Sequence, residues 1–332
     1  MRRRATRSSG EAQMAVLTAG SASRTATVSI VIPTQRRPLA LLRAARSVLH
    51  QMGVDHETLE LVIADNDQSP SARPIAEQVA AEADFPVLYV HEARSGVANV
   101  RNAGMARATG PLIAFLDDDQ EAPTGWLAGL VDTRTRFNAD VVFGPVQARV
   151  PPDVAEHRAY FEHFFSRLGP DEPGLLADYY GCGNSLVKRE ALPDPDRPFS
   201  ELRNKIGGED DLLFGGMQAA GARFAWAPSA LVFEDPVSER LTLAYTISRA
   251  FAYGQGPTVH CAASNPPDRL GVARWMAVGV LGAAAFGLMA AGSWLVSAEK
   301  RAWPLDRAAR GLGKALWWGP FQVQFYGQTT SD

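Results

Sequence analysis

The sequence predicts an α/β protein built on an open, doubly wound, mostly parallel β-sheet with helices on both faces. Two observations predict it. Short apolar runs alternate with amphipathic segments between residues 27 and 234, the pattern of successive strand–helix–strand units. The runs are continuous and rich in β-branched and aromatic residues, as expected for strands buried on both faces of a parallel sheet.

The individual elements follow from the same pattern. The predicted strands are 28–32, 61–64, 87–90, 112–116 and 141–143. The predicted helices between them are about 38–52, 70–83, 96–108 and 124–137. Pro38 suits the first position of a helix, and Leu42, Ala45 and Leu49 fall on one face of it. Ligands bind beyond the carboxyl ends of the strands in such sheets, so the residues after each strand are candidates for chemistry.

Composition sets limits on function. The 332 residues are 46% hydrophobic and 21% charged, which allows a sizeable core, and the net charge of -3 gives no indication of nucleic-acid binding. Two isolated cysteines, Cys182 and Cys261, do not make a disulfide framework and favour a reducing compartment. We expect residues 1–26 to be a disordered basic leader, because the apolar stretch 15–17 is too short for a signal peptide.

Polar residues follow the first two predicted strands. Pro33 ends the first strand, so the chain turns and exposes Thr34 and a helix N-terminus to any phosphate bound nearby, although a plain strand-to-helix turn explains the same residues. Asp65 and Asp67 follow the second strand, where a carboxylate can accept hydrogen bonds from a nucleobase or a ribose. A helix cap or an Asx-turn is the alternative explanation for these two acids.

Three consecutive carboxylates, Asp117, Asp118 and Asp119, follow the fourth predicted strand. Their mutual repulsion is costly unless a cation neutralises it, and Mn²⁺ or Mg²⁺ commonly bridges carboxylates and a diphosphate. A solvated acidic loop is the alternative, but the run directly follows a buried strand at the edge where ligands bind. The sequence therefore favours a divalent-metal site at this point.

A second acidic group follows two glycines, at 207 and 208, which permit a tight loop or close approach to a ligand. Glu209 and Asp210 then fall in the first turn of a predicted helix, where the helix dipole favours negative charge. A carboxylate here can act as a general base toward an acceptor hydroxyl, or both acids can be simple caps.

Six segments, in this order, resemble the family 2 glycosyltransferases, which are inverting enzymes of GT-A fold. They are VSIVIPTQRR, LVIADND, GVANVRNAG, IAFLDDDQEAPTGWL, GCGNSLVKRE and GGEDDLLFGGMQAAGARFAW. Together with the later FEDPVSERLTLAYTISRAFAYGQG, they are most similar to the bacterial succinoglycan ExoM-type exopolysaccharide glycosyltransferases. The resemblance covers roughly residues 27–257 and implies that 27–260 is a GT-A catalytic domain.

The resemblance also implies roles for single residues. Asp210, of the Glu209–Asp210 pair, would be the catalytic base, and Asp119 would coordinate the metal. Many relatives have a metal-binding His where this chain has Glu234, so either Glu234 replaces it or the metal relies on Asp119 and phosphate oxygens alone. The expected donor-binding residues are Pro33, Thr34, Arg37, Asp65, Asp67, Arg94, Arg101, Asp117, Asp118 and Asn184.

Several of these expectations are specific. Asp65 would bind the donor base, Asp117 the ribose or the sugar, and Asn184 would lie on the strand that lines the sugar pocket. Arg94 and Arg101 would lie near the diphosphate or brace the loop. Arg240 and Arg249, on a helix predicted at 239–254, would help to hold the diphosphate or be solvated charges.

The implied activity is the transfer of a hexose from a UDP-sugar, with inversion and with Mn²⁺ or Mg²⁺ as cofactor, to a lipid-linked saccharide acceptor. The process would be bacterial exopolysaccharide or cell-surface glycan synthesis. A non-catalytic membrane-bound pseudo-glycosyltransferase or sugar-binding scaffold subunit is the alternative, but such a protein would be expected to lose the acid at 119 or 210. A nucleotidylyltransferase would need a glycine-rich loop after the first strand, and residues 33–38 contain no glycine.

The C-terminal region, 261–332, is expected to be helical and membrane-associated after a linker at 261–271. Residues 275–296 form a 22-residue run without charge, long enough to cross a bilayer, with Trp275 and Trp294 near its ends. Cations flank the run on both sides, so a helix lying at the interface is an alternative to a crossing, and a helix packed on the catalytic domain is another. We expect the protein at the cytoplasmic face of the bacterial inner membrane.

Overall fold

The structure is a computed structural model that describes residues 13–16, 26–204, 207–264, 266–293, 297, 299–321 and 323. The chain divides into two compact units. The first contains the residues up to 147 and residues 167–234, and the second contains 148–166 and 235–324. This division groups residues 235–260 with the C-terminal helices, whereas the sequence places them at the end of the catalytic domain.

The first unit is an α/β layered structure. Its strands are β1 (Gln13–Val16), β2 (Val28–Thr34), β3 (Leu59–Asp65), β4 (Val87–His91), β5 (Leu112–Leu116), β6 (Gln120–Glu121), β7 (Val141–Phe143), β8 (Val146–Ala148, which runs into the second unit), β9 (Gly174–Leu176), β10 (Asn184–Lys188), β11 (Phe224–Trp226) and β12 (Val232–Glu234). Its helices are α1 (Pro38–Leu49), α2 (Arg73–Glu82), α3 (Val97–Arg107), α4 (Trp126–Phe137) and, numbered in chain order, α6 (Glu209–Ala219). All five predicted strands and all four predicted helices are present.

The large sheet has the strand order β1-β4-β3-β2-β5-β10-β7-β11-β9. Strands β4, β3, β2 and β5 are parallel, which confirms the predicted strand–helix–strand units. Strand β10 is antiparallel to both neighbours, β5 and β7. A short second sheet, β6-β12-β8, follows the end of β5.

Alternation along β2 explains the helices on both faces. Ile30 and Ile32 point into one apolar core, which α1, α2 and α4 cover. Val31 points into the other core, which α3 and α6 cover. Gly104 of α3 permits close packing here, because a Cβ at this position would lie 2.6 Å from Cγ1 of Val31. The α/β prediction with two helical layers is confirmed.

The expected leader 1–26 is described only in part. Residues 13–16 form β1, which pairs antiparallel with β4, so these four residues are regular structure where none was expected. Residues 1–12 and 17–25 lie outside the described part of the chain.

The second unit contains α5 (Arg158–Phe165), α7 (Leu243–Ala263), α8 (Arg269–Ser293) and α9 (Ala302–Ala315). Its core joins Tyr160, Phe161 and Phe165 of α5 to Leu241 and Ala302. The helix predicted at 239–254 begins later and runs to residue 263, so the predicted linker at 261–271 is confined to residues 264–268. Among the described residues, α8 is the helix whose length and apolar composition would suffice to cross a membrane. Trp294 lies outside the described residues.

Candidate active site

The predicted site residues of the first unit gather at one edge of the large sheet. Thr34 ends β2 and is paired in register with Asp65, the last residue of β3. Asp117 directly follows β5, the other parallel neighbour of β2. The polypeptide therefore presents three neighbouring strand ends at the edge where α/β proteins bind ligands.

Asp118 is the anchor of the acidic run. It is 6% exposed, accepts a hydrogen bond from Oγ1 of Thr34 at 2.7 Å and accepts another from Nη1 of Arg37 at 3.1 Å. The same Arg37 nitrogen donates to Oδ2 of Asp119 at 2.8 Å. Thr34 and Arg37 thus hold the carboxylates of Asp118 and Asp119 in place, and the positive charge of Arg37 offsets part of their negative charge.

Asp119 faces a second carboxylate, Glu234. Glu234 ends β12 and pairs with Gln120 of β6, the residue next to Asp119. Burial, and then repulsion from Glu234 and the adjacent aspartates, raises the pKa of Asp119 to about 7. Arg167 lies 2.7 Å from Glu234 in an ion pair, and Gln120 donates to the same oxygen at 3.3 Å.

The donor set suits a hard divalent cation that a ligand helps to hold. Asp119 and Glu234 supply carboxylate oxygens, the ligand type that Mg²⁺ and Mn²⁺ prefer, and their mutual repulsion would be relieved by a cation. The described residues contain no group of three or more His, Cys, Asp or Glu that could hold a metal ion by themselves. Two protein carboxylates plus oxygens from a bound diphosphate therefore fit better than an all-protein site.

Arg101 connects the acidic run to α6. Its guanidinium forms ion pairs with Glu209 and, at 3.3 Å, with Asp117, and lies over the ring of Phe199 at 5.6 Å. The Arg101 and Glu209 side chains are only 7% and 6% exposed. Burial raises the pKa of Glu209, and the Arg101 charge opposes that rise. This position fits the expectation that Arg101 braces the site, and its proximity to a diphosphate stays a prediction.

Asp210 lies at the start of α6 between the buried Glu209 and the exposed Asp211. Gly207 and Gly208 have φ of +76° and +78°, a conformation that favours glycine, and three acids follow them in the first turn of the helix. The backbone N–H of Cys182 donates to Oδ2 of Asp210 at 3.2 Å. Asp210 is only half-buried, whereas its neighbour Glu209 is fully engaged, so Asp210 is the better placed of the pair to meet a substrate.

The segment before β10 separates Asp117 from Asp210. The backbone N–H of Asp117 donates to the carbonyl of Gly183 at 3.3 Å, and any Cβ on Gly183 would overlap the Asp117 carboxylate. Cys182 is buried, and burial raises the pKa of its thiol well above the ordinary value. Cys182 and Gly183 do not stand out among the residues at the strand ends, although two glycines that flank one residue before a strand indicate close backbone approach.

Two residues expected to contact the donor have internal partners. Asp65 is completely buried and accepts hydrogen bonds from Tyr89 Oη at 2.8 Å and from two backbone N–H groups, at Ala72 and Asp67. The bond from the Asp67 N–H is an Asx-turn, and a contact of Asp65 with the donor base stays a prediction. Asn184 accepts from Trp126 Nε1 at 2.8 Å and donates to the carbonyls of residues 145 and 230, so all its bonds hold neighbouring segments together.

The remaining predicted residues lie around this edge. Pro33 pairs in register with Ala64 inside the sheet. Asp67 accepts from Arg36 at 3.1 Å, and Arg94 is half-exposed and bound to Glu92 at 2.8 Å. Arg240 and Arg249 belong to the second unit, where they lie over the rings of Tyr245 and Tyr253.

Two asparagines that strand-end patterns do not single out shape the loop before α3. Asn66 donates to the carbonyls of Glu92 and Arg94 and accepts from the N–H of Gly96 at 2.8 Å. Asn204 accepts from the N–H of Ala98 at 3.0 Å, which caps α3 from a distant segment. Only long-range contacts could identify this cap, because the partners are 106 residues apart.

Chemically, this edge combines a carboxylate pair that suits a divalent cation with a separate half-buried acid. A cation held by Asp119 and Glu234, together with Arg37, could offset the charge of a phosphorylated ligand, and Asp210 could take a proton from a second substrate.

Known proteins that resemble this chain in sequence or in fold are glycosyltransferases. The family model described as "Glycosyl transferase family 2" matches residues 29–194. The chain is 36% identical over 228 residues to the succinoglycan biosynthesis protein ExoM of Rhizobium meliloti (strain 1021), covering 69% of this chain and 73% of that protein. A shorter match, 27% identical over 115 residues, is to the GalNAc(5)-diNAcBac-PP-undecaprenol beta-1,3-glucosyltransferase of Campylobacter jejuni, and it covers 34% of this chain and 36% of that enzyme.

Among solved structures, the mannosyltransferase PcManGT from Pyrobaculum calidifontis was determined in complex with GDP-Man and Mn²⁺. It superposes with a TM-score of 0.58 and covers 90% of each chain at 18% identity. At this identity the similarity shows the shared GT-A fold alone.

Proposed function

Since this chain belongs to glycosyl transferase family 2, we propose that it transfers a hexose from a UDP-sugar to a hydroxyl of a lipid-linked saccharide. One observation carries the proposal. The carboxylate pair Asp119–Glu234 and the acid Asp210 lie at the same sheet edge, connected through Asp117, Arg101 and Glu209.

The donor would be held by its diphosphate. Arg37 is 28% exposed, so its guanidinium can reach phosphate oxygens while it still contacts Asp118 and Asp119. Asp119 and Glu234 would hold Mn²⁺ or Mg²⁺, which when bound would offset the negative charge that develops on the leaving diphosphate. The solved mannosyltransferase of the same fold was determined with GDP-Man and Mn²⁺, which supports this class of donor and cofactor.

The chain's own acid would supply the proton transfer. Asp210 would accept the proton of the acceptor hydroxyl as that oxygen attacks the anomeric carbon and the bond to the diphosphate breaks. A single displacement of this kind inverts the anomeric centre. The bond from the Cys182 N–H would orient the Asp210 carboxylate, and the buried Arg101–Glu209 pair would hold the start of α6 in place.

The acceptor assignment rests on two further observations. One relative acts on a saccharide carried by PP-undecaprenol, by its name, and another acts in succinoglycan biosynthesis. The second unit contains α8, whose length and apolar composition suit a membrane. Both support a role in bacterial exopolysaccharide or cell-surface glycan synthesis at the cytoplasmic face of the inner membrane.

Calorimetric titration with UDP, GDP and dTDP, each with Mn²⁺ and with EDTA, tests the proposal. We expect one nucleotide, UDP, to bind only in the presence of Mn²⁺. Asp119→Ala should abolish this binding, whereas Asp132→Ala, on the exposed face of α4, should retain it. If no nucleotide binds to the folded wild type under any condition, the protein is not this transferase and the scaffold alternative takes its place.

A further inference from the structure

Helix α8 exposes large apolar side chains on its surface. The most exposed of them are 46–81% accessible and are Leu270, Val278, Val280, Leu281, Leu288 and Met289. Its buried residues are the small Gly279 and Ala290. Such a helix is long enough to span a bilayer, so its partners within the second unit decide whether a crossing is compatible with the fold.

Helix α9 lies against α8 in the opposite direction. Gly279 and Gly311 bring the two backbones into contact, because a Cβ on either would lie 2.5–2.7 Å from the carbonyl oxygen of the other. Near one end of the contact Lys314 lies 6.0 Å from the ring of Trp275, and further along Arg307 lies 5.3 Å from the ring of Phe286.

The position of α9 is fixed by polar contacts on its other side. Asp306 is buried and accepts from Arg310 at 2.6 Å and from Tyr160 of α5 at 3.2 Å. Thr258 and Gln255 of α7 donate to the carbonyls at the end of α9, at residues 314 and 316. Helix α9 therefore cannot separate from α7 and α5 without leaving buried polar groups unpaired.

A crossing by α8 would carry this charged partner into the membrane. Phe286 lies at the middle of the charge-free run 275–296, so a crossing places the guanidinium of Arg307 near the centre of the hydrocarbon. Asp306 directly precedes Arg307, and Arg310 lies about one turn further along the same helix. Charged side chains at this depth are strongly unfavourable, and only a position along the membrane surface avoids them.

We infer that α8 is an in-plane anchor that binds the surface of an anionic bilayer with its axis parallel to the membrane. Its exposed apolar side chains would enter the acyl region. Cations lie in its first two turns, beside it and after it, where they would meet lipid headgroups: Arg269, Arg274, Arg307, Lys314, Lys300 and Arg301. Cations spread along the whole helix fit a helix that lies on a negatively charged surface. A membrane-spanning helix would instead have its cations at its two ends.

The inference specifies how the membrane association in the proposed function is achieved. It rests on the proposed function in one respect, namely that an acceptor is presented at this membrane surface. Nucleotide binding and membrane geometry are measured separately. A protein that binds nucleotide but spans the membrane would overturn the inference alone.

Cysteine accessibility in cells distinguishes the two geometries. Asp268→Cys and Ser297→Cys, each in full-length Cys261→Ser protein, report the two ends of α8. With a membrane-impermeant maleimide, we expect neither cysteine to react in intact spheroplasts and both to react after lysis. Reaction of either one in intact spheroplasts shows that α8 crosses the membrane and contradicts the inference.

Vesicle flotation tests the lipid surface itself. We expect Arg307→Gln to weaken binding to vesicles of phosphatidylcholine and phosphatidylglycerol about fivefold, the usual effect of one surface cation. Arg136→Gln, an exposed arginine on α4, should leave binding unchanged. Equal effects of the two changes would contradict the assignment of Arg307 to the membrane face.

The apolar face has a corresponding test. The double variant Leu281→Asp/Leu288→Asp should bind vesicles at least tenfold more weakly, because two leucine side chains no longer transfer from water to lipid. Leu202→Asp, at an exposed site in the first unit, should leave vesicle binding unchanged. Unchanged Mn²⁺-dependent nucleotide binding confirms that the variants are folded. If the double change instead abolishes a dimer in solution and leaves vesicle binding intact, a second copy of the chain covers this face and the lipid assignment is wrong.

Discussion

At the residue scale, the candidate site contains more carboxylates than cationic side chains. Five carboxylates, at 117, 118, 119, 209 and 234, are held by the three arginines 37, 101 and 167 in ion pairs. Burial and repulsion from Glu234 raise the pKa of Asp119, because both oppose its ionisation. A cation bound between Asp119 and Glu234 would relieve this repulsion.

A pH dependence of metal affinity follows. The pKa of Asp119 is raised to about 7, so the metal-free folded protein holds a proton there that the unfolded chain loses near 3.8. The proton stabilises the folded state at low pH, and this contribution is lost as pH rises from 3.8 toward 7. Mn²⁺ must displace the proton, so we expect affinity to fall about tenfold per pH unit below 7 and to level off above it.

Electron paramagnetic resonance of free Mn²⁺, between pH 5.5 and 8, measures this dependence without nucleotide. Asp132→Asn, which changes an exposed acid of the same unit, should reproduce the wild-type profile. A flat profile in the wild type would show that protonation of Asp119 does not compete with the metal.

At the scale of elements, the link between α3 and α6 determines where the proposed base lies. Arg101 on α3 is buried against Glu209 on α6 and Asp117 after β5. Removing one partner of a buried ion pair leaves a charge without compensation, which typically costs about 3–5 kcal/mol.

We therefore expect Arg101→Met to lower the free energy of unfolding by about that amount. Adding Glu209→Gln should recover part of the loss, because the unpaired buried carboxylate is then gone. Arg94→Met removes a half-exposed arginine and should cost at most about 1 kcal/mol. Urea denaturation of the four proteins provides the comparison, and an Arg101→Met loss no larger than that of Arg94→Met would show that the pair contributes little.

The sequence predicts the secondary-structure elements around the site better than it predicts the contacts between them. The apolar runs locate β2, β3, β4, β5 and β7 because each strand is buried on both faces, and their short length and β-branched or aromatic residues distinguish them from buried helices. The acidic runs after β5 and at the start of α6 are visible because their carboxylates are consecutive in the sequence. The antiparallel strand β10 and the distant cap that Asn204 provides depend on long-range pairing, which no local pattern specifies.

Residue types at strand ends also leave two roles undecided. Asp65 has the position of a base-binding acid, but Tyr89 and two backbone N–H groups use its oxygens. An Asx-turn and a ligand contact require the same side chain at the same place, so only the contacts distinguish them. Arg101 is a similar case, since its sequence position cannot show that it is buried.

At the scale of the whole molecule, the chain combines an α/β unit with a helical unit that takes residues from two separate segments. Helix α5, from the internal segment, relies on the C-terminal segment to cover Tyr160, Phe161 and Phe165. A truncation intended to isolate the catalytic fold therefore leaves an apolar face behind.

We expect a chain that ends at Glu234 to aggregate, because Leu241 and Ala302 no longer cover the aromatic residues of α5. Size-exclusion chromatography beside the full chain in the same detergent tests this expectation. A monodisperse truncated protein would show that α5 does not need the C-terminal helices.

The central claim is that Asp210 acts as base in transfer from a nucleotide sugar. The most direct measurement is nucleotide diphosphate release from UDP-sugars with Mn²⁺ and lipid-linked acceptors from bacterial membranes, for wild type, Asp210→Asn and Asp211→Asn. We predict release by the wild type, a loss of about 10²–10⁴-fold in Asp210→Asn with unchanged nucleotide affinity, and a much smaller effect of Asp211→Asn. Full activity of Asp210→Asn would contradict the assignment of the base, and an absence of release from every donor by protein that binds nucleotide would contradict the transferase itself.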